Sequence, residues 1–122
     1  MALTRDQILG SDDLPREAVD VPLWGGEVFV RAFMGEQRQE FKNLAIQHEA
    51  GDVDELDLVA LLVIATTVGD DGELLFTPDD LPALKKKNAD ALVTVGNVAL
   101  RINGLTEESI ENITGNSHSG QS

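Results

Sequence analysis

From Leu58 to Ala65 the chain reads Leu-Val-Ala-Leu-Leu-Val-Ile-Ala, with no polar side chain. Nothing else in the sequence restricts the fold as much. The run sits inside about fifteen residues, Asp54 to Val68, that carry no turn signal. Val59, Val63 and Ile64 are β-branched, and a buried strand can show the same run. Length decides, since so long a stretch is unusual for a strand, and the segment is predicted as a helix capped by Asp54. A helix without a polar face must be covered on every side, either by its own domain or by another subunit.

A chain of 122 residues supplies one domain, able to bury about two-thirds of its unfolded surface around a single core. Thr4-Arg5-Asp6-Gln7 has capping-box spacing and predicts a short helix up to Gly10. Val19-Asp20-Val21-Pro22 and Glu27-Val28-Phe29-Val30-Arg31 flank Trp24-Gly25-Gly26 and predict a β-hairpin. Pro22 cannot donate to a ladder, so the first strand is an edge or stops there. Gly35 to Ala50 reads as a helix, with Phe41, Leu44 and Ala45 on one side and Gly51 as its stop. Gly69-Asp70-Asp71-Gly72 is a turn, and Leu74-Leu75-Phe76 a short extended stub. Thr77-Pro78-Asp79-Asp80 opens a helix that ends at Lys85-Lys86-Lys87. Asn88 caps the next helix, in which Ala91, Leu92, Val95, Val98, Ala99 and Ile102 form one stripe up to Gly104. A last short helix is expected over 106–113. The expected fold is α+β and mainly α, a small N-terminal β-hairpin packed on a bundle of four to five helices. Residues 1–113 form the domain and 114–122 a disordered polar tail.

Nine Lys and Arg stand against 22 Asp and Glu, a net charge of −13. That balance argues against nucleic-acid binding, which needs a basic patch, and against an anionic membrane surface. Asp52, Asp54, Glu55, Asp57, Asp70, Asp71, Glu73, Asp79 and Asp80 all fall between Gly51 and Leu84, where no basic residue occurs. Solubility and helix-start acids account for this run; an acidic face that steers a basic partner also does. The start of the chain lacks the basic and apolar regions of a signal peptide, and Leu58–Ala65 is far too short to cross a bilayer. A soluble, cytoplasmic protein is expected.

Chemistry is hard to find. There is no cysteine, hence no disulfide, thiolate or Cys-based metal site. Outside the tail only Ser11 and Ser109 could be nucleophiles, with His48 alone as base, and neither lies in a Gly-x-Ser-x-Gly turn. No P-loop or Gly-x-Gly-x-x-Gly occurs. The acidic runs at 52–57 and 70–73 lack the ligand spacing of an EF-hand. His48 near a helix C-terminus reads as structural. No catalytic residue, cofactor or metal is expected, so the chain reads as a binding or assembly protein and not an enzyme. Trp24, at the hairpin tip, either folds back on the core or anchors a partner.

The order of these blocks resembles the tail assembly chaperones of long-tailed bacteriophages and prophages. The resemblance is carried by Met1–Leu9, by Asp12-Asp13-Leu14-Pro15 leading into Val19-x-Val21-Pro22-x-Trp24-Gly25-Gly26-x-Val28-x-Val30-Arg31, by Asp71-Gly72-Glu73-x-Leu75-Phe76-Thr77-x-x-Asp80, and by Gly104-Leu105-Thr106-Glu107-Glu108. It implies a late, non-virion protein of the host bacterial cytoplasm. Such a protein coats the tape measure protein, keeps it soluble and helps recruit major tail (tube) subunits that then displace it. It further implies possible self-association, a longer frameshifted form, and no catalytic residues. On this reading the client face is drawn from Trp24, from Leu58, Leu61 and Leu62, and from Leu92, Val95 and Ala99, since a helical client is held by apolar helix faces. Two other readings are a structural or connector component retained in the phage tail, and an acidic DNA mimic that inhibits a nucleic-acid-binding protein.

Overall fold

Side-chain caps set where the first elements begin. In the computed structural model, which describes residues 2–105, the Thr4 hydroxyl accepts the Gln7 amide at 3.2 Å. The Thr4 amide in turn donates to the Gln7 side chain at 2.9 Å. Helix α1 (Arg5–Leu9) follows, with none of its residues buried. Strands β1 (Arg16–Val21) and β2 (Gly26–Arg31) pair antiparallel, Val19 opposite Val28. Pro22 both ends β1 and opens a 3-10 turn, Pro22–Trp24, which closes on Gly25 at φ +83°. Such a φ favours glycine.

Helix α2 (Gly35–Glu49) ends before Gly51, which also takes a positive φ. The Asp54 carboxylate accepts the Asp57 amide at 2.8 Å and starts α3 (Glu55–Thr66). The helix expected to reach Val68 therefore stops short. Thr66, Thr67 and Val68 are β-branched, and the Thr66 hydroxyl donates back to the Leu62 carbonyl at 2.8 Å. Thr67–Val68 become strand β3, antiparallel to β2 with Thr67 opposite Val30. The sheet is thus three-stranded, in the order β1-β2-β3, where a two-stranded hairpin was expected.

The helix expected after Thr77 is also shorter. It opens as a 3-10 turn, Pro78–Asp80, and continues only as α4 (Leu81–Leu84). The Asn88 side chain accepts the Ala91 amide at 3.0 Å and caps α5 (Ala89–Ile102). The expected helix at 106–113 and tail at 114–122 lie outside the described residues.

Helix α5 is the centre of the molecule, packed on α3 on one side and on β1 and β2 on the other; α3 also meets α2 and α4. Leu92, Val95 and Ala99 from α5, Ala60, Leu62 and Val63 from α3, and Val30 from β2 are buried together. Within Leu58–Ala65 no side chain is exposed, so the apolar helix is covered by its own domain. Asn103 closes the C-terminal end of α5. Its side chain accepts the Phe33 amide at 2.8 Å and donates to the Ala99 carbonyl at 2.9 Å.

Thr67 is fully buried, and its hydroxyl has no hydrogen-bond partner among the described residues. Thr67→Val keeps the shape and removes an unpaired polar atom, so it is expected to stabilise the fold by about 1 kcal/mol. A thermal melt checks this, and a lower midpoint would mean the hydroxyl is satisfied.

Arg101 bridges α5 to β1, with Nη2 donating to Glu17 Oε2 at 2.6 Å and Nη1 to Oε1 at 3.1 Å. That hydrogen bonding, with the guanidinium charge, holds the Glu17 carboxyl below its ordinary value of 4.5, against a smaller opposing effect of burial. A depressed carboxylate contributes stability above its unfolded pKa and loses it as pH falls through the folded one. Glu17→Gln is therefore expected to flatten stability against pH below about 4.5 and leave the alkaline limb unchanged, read from denaturant midpoints across that range.

Candidate functional site

Five of the seven side chains expected to face a partner, Leu58, Leu62, Leu92, Val95 and Ala99, are packed in the core. Leu61 and Trp24 are half-buried against it. At the hairpin tip it is Leu23, beside Trp24, that stands out, 66% exposed. His48 fastens the end of α2, its Nδ1 2.8 Å from the Val53 carbonyl.

An open groove of about 320 Å³ lies where α2, α3 and α5 meet. Its floor is Gly96, the one residue of the α5 core face without a side chain. A Cβ there would lie 3.4 Å from Val59 Cγ1 and 3.8 Å from Leu62 Cδ2, so glycine leaves a notch between closely packed helices. Phe41, Val59, Leu62, Val93 and Leu100 give the apolar walls, and His48, Glu49, Glu55 and Asn97 the rim. Val93 is 44% exposed. It lies off the Leu92-Val95-Ala99 stripe and was missed from the sequence, where an apolar residue off the stripe beside a mid-helix glycine was the signal that could have found this groove.

The groove is electrically polar. Glu49 and Glu55 stand at one end. At the other, Phe41 is shared with a smaller pocket of about 230 Å³ that is lined by Gly35, Arg38, Gln39, Lys42 and Leu105. Neither Arg38 nor Lys42 forms an ion pair among the described residues. Arg38 instead donates to the Asn103 carbonyl at 3.2 Å.

The acidic stretch does not make one face. Asp52–Asp57 gather at the start of α3 and Asp70–Glu73 follow its far end, so that most of this 12-residue helix, about 18 Å long, lies between them. Several of these acids serve the backbone or a neighbour. Asp71 accepts the Glu73 amide at 3.0 Å, Asp80 accepts the Thr77 amide at 2.9 Å, and Asp57 pairs with Lys85 at 2.6 Å. A further cleft of about 460 Å³ lies between Asp12–Arg16 and the 70–72 turn. Arg16 closes it, stacked 4.6 Å from the Phe29 ring centre and donating to the Gly69 and Asp70 carbonyls at 3.3 Å each. Among the described residues no helix is long and apolar enough to cross a membrane.

The sequence matches no protein-family model and no curated protein. Among solved structures the fold is similar to that of the bacteriophage HK97 tail assembly chaperone, with a TM-score of 0.60 over 84% of this chain and 95% of that one, at 18% identity. The chain has a tail assembly chaperone-like fold. At this identity the likeness is one of fold alone.

Proposed function

We propose that this protein is a phage tail assembly chaperone. It acts in the host bacterial cytoplasm, binds the tape measure protein and keeps it soluble, helps recruit tail tube subunits, and leaves before the virion is complete. The likeness of fold to the HK97 chaperone carries the reading. The groove between α2, α3 and α5 supports it, since an amphipathic client helix seats apolar side chains in such a notch. The net charge of −13 would keep chaperone and client dispersed. Weak self-association would let several copies line a long client.

The test is co-expression with the tape measure protein of the same phage, with solubility and co-purification as readouts. The client is expected to move from the pellet to the soluble fraction and to co-purify. A client that stays insoluble overturns the proposal, and so does recovery of this chain from washed virions by mass spectrometry, which would make it a tail component.

A further inference from the structure

We propose that the groove between α2, α3 and α5 selects its occupant by charge as well as by shape. The occupant is an amphipathic helix of a partner protein, with a carboxylate at one end of its apolar face and a cation two to three turns away at the other. Only the naming of the tape measure protein as that partner rests on the chaperone reading.

The walls decide that the occupant is a helix. All three are helices, whose backbone groups pair within themselves, so the groove offers no edge on which an extended segment could satisfy its amides. A helix arrives with its own hydrogen bonds made. The notch at Gly96 points the same way. A Cβ there would meet Val59 Cγ1 at 3.4 Å and Leu62 Cδ2 at 3.8 Å, ordinary contact distances, so the packing of α3 on α5 does not require glycine. Glycine is nevertheless among the least favourable residues in a helix interior. Its presence leaves room for a side chain from outside.

The order of charges follows from the register of α2. Arg38, Lys42 and Glu49 stand four and then seven residues apart, close to whole turns, and so share one face. Arg38 and Lys42 flank Phe41 in the pocket at one end of the groove. Glu49 lies at the other end, with Glu55 from the start of α3. Among the described residues no acid lines that pocket, and no lysine or arginine lines the groove beside the two glutamates. The bond from Arg38 to the Asn103 carbonyl uses Nη1 and leaves the other N–H groups of the guanidinium to a ligand. Along the helix axis Glu49 is about 10 Å from Lys42 and about 16 Å from Arg38. A helix laid along α2 matches that rise, which sets its acid and its base about seven to eleven residues apart with apolar side chains between them.

Three labelled, hydrocarbon-stapled helices of about 16 residues test this. They share one apolar face and differ only at its ends, which carry Glu and Lys, Lys at both, or Glu at both. Binding is read by fluorescence anisotropy. The mixed helix is expected to bind about tenfold more tightly than either of the others, although the net charge of −13 favours the all-Lys helix at long range. Arg38→Glu/Lys42→Glu is expected to move the preference to the all-Lys helix, and Glu49→Lys/Glu55→Lys to the all-Glu helix. Affinity that only follows the positive charge of the helix overturns the proposal, and so does a preference that neither double variant moves. Gly96→Ala is expected to raise the melting midpoint by a few degrees and to weaken the mixed helix severalfold. Unchanged affinity in that variant would put the helix elsewhere and overturns the proposal as well. Dimers of this chain that the mixed helix splits would make a second copy the occupant, with the same consequence. No tape measure protein enters these measurements, so their failure leaves the co-expression result standing, and a failed co-expression leaves the preference of the groove standing.

Discussion

Val95→Asp is expected to abolish the folded state at neutral pH and room temperature. Val95 has no exposed surface and sits midway along α5, between α3 and the sheet. The buried polar residues described are Gln37, Thr66 and Thr67, and none carries a charge. A carboxylate placed there has no cation to pair with, and such a group costs several kcal/mol even after relaxation. Losing the valine removes a further ~1.5–3 kcal/mol of burial. The sum rivals the whole stability of a domain this size, about 5–15 kcal/mol. Far-UV circular dichroism and thermal melts check it. Burial raises the folded-state pKa of the new carboxyl, so the penalty is full above that value and shrinks as pH falls toward the ordinary Asp range. Val95→Asp is therefore expected to regain structure on mild acidification, and Val95→Asn to show no such recovery. A cooperative melt within a few degrees of the parent would mean that the α5 stripe faces outward.

The same residue shows where sequence reading stops. An apolar stripe at helical spacing states that a face is covered, and it has the same period whether the cover is the chain itself or a partner. Leu58, Leu62, Leu92, Val95 and Ala99 were therefore legible as buried positions but not as positions buried within one chain. Local chemistry was plainer. Thr4 with Gln7, Asp54, Asn88 and the positive-φ glycines Gly25, Gly51, Gly72 and Gly104 mark boundaries within a few residues of themselves. Strand β3 was hidden for the opposite reason. Thr67 and Val68 continue the apolar pattern of α3, and only their pairing with Val30 and Phe29, far away in sequence, turns them into a strand. The acidic stretch likewise reads as one block along the chain, and only the length of α3 between its two halves divides it.

Val93→Asp is expected to leave the protein folded and to cost at least tenfold in capture of the tape measure protein. The contrast with Val95, two positions further along the same helix, rests on exposure. Val93 is 44% exposed and lies on the groove wall. Asp and Val have similar helix propensities, so the change in stability is expected to stay within about 1 kcal/mol. A client helix seated in the groove must bury that position, and the new carboxylate would join Glu49 and Glu55 at the acidic end. Each ~1.4 kcal/mol of added desolvation and repulsion is a factor of ten in affinity, and burying one unpaired charge exceeds that. The variant is co-expressed with the tape measure protein and compared with Leu23→Asp, a substitution at the more exposed hairpin tip. Loss with Val93→Asp and retention with Leu23→Asp place the client in the groove. The reverse pattern moves it to the hairpin, where Leu23 and the half-buried Trp24 would be the anchors, and a client that stays soluble with both variants excludes either seat.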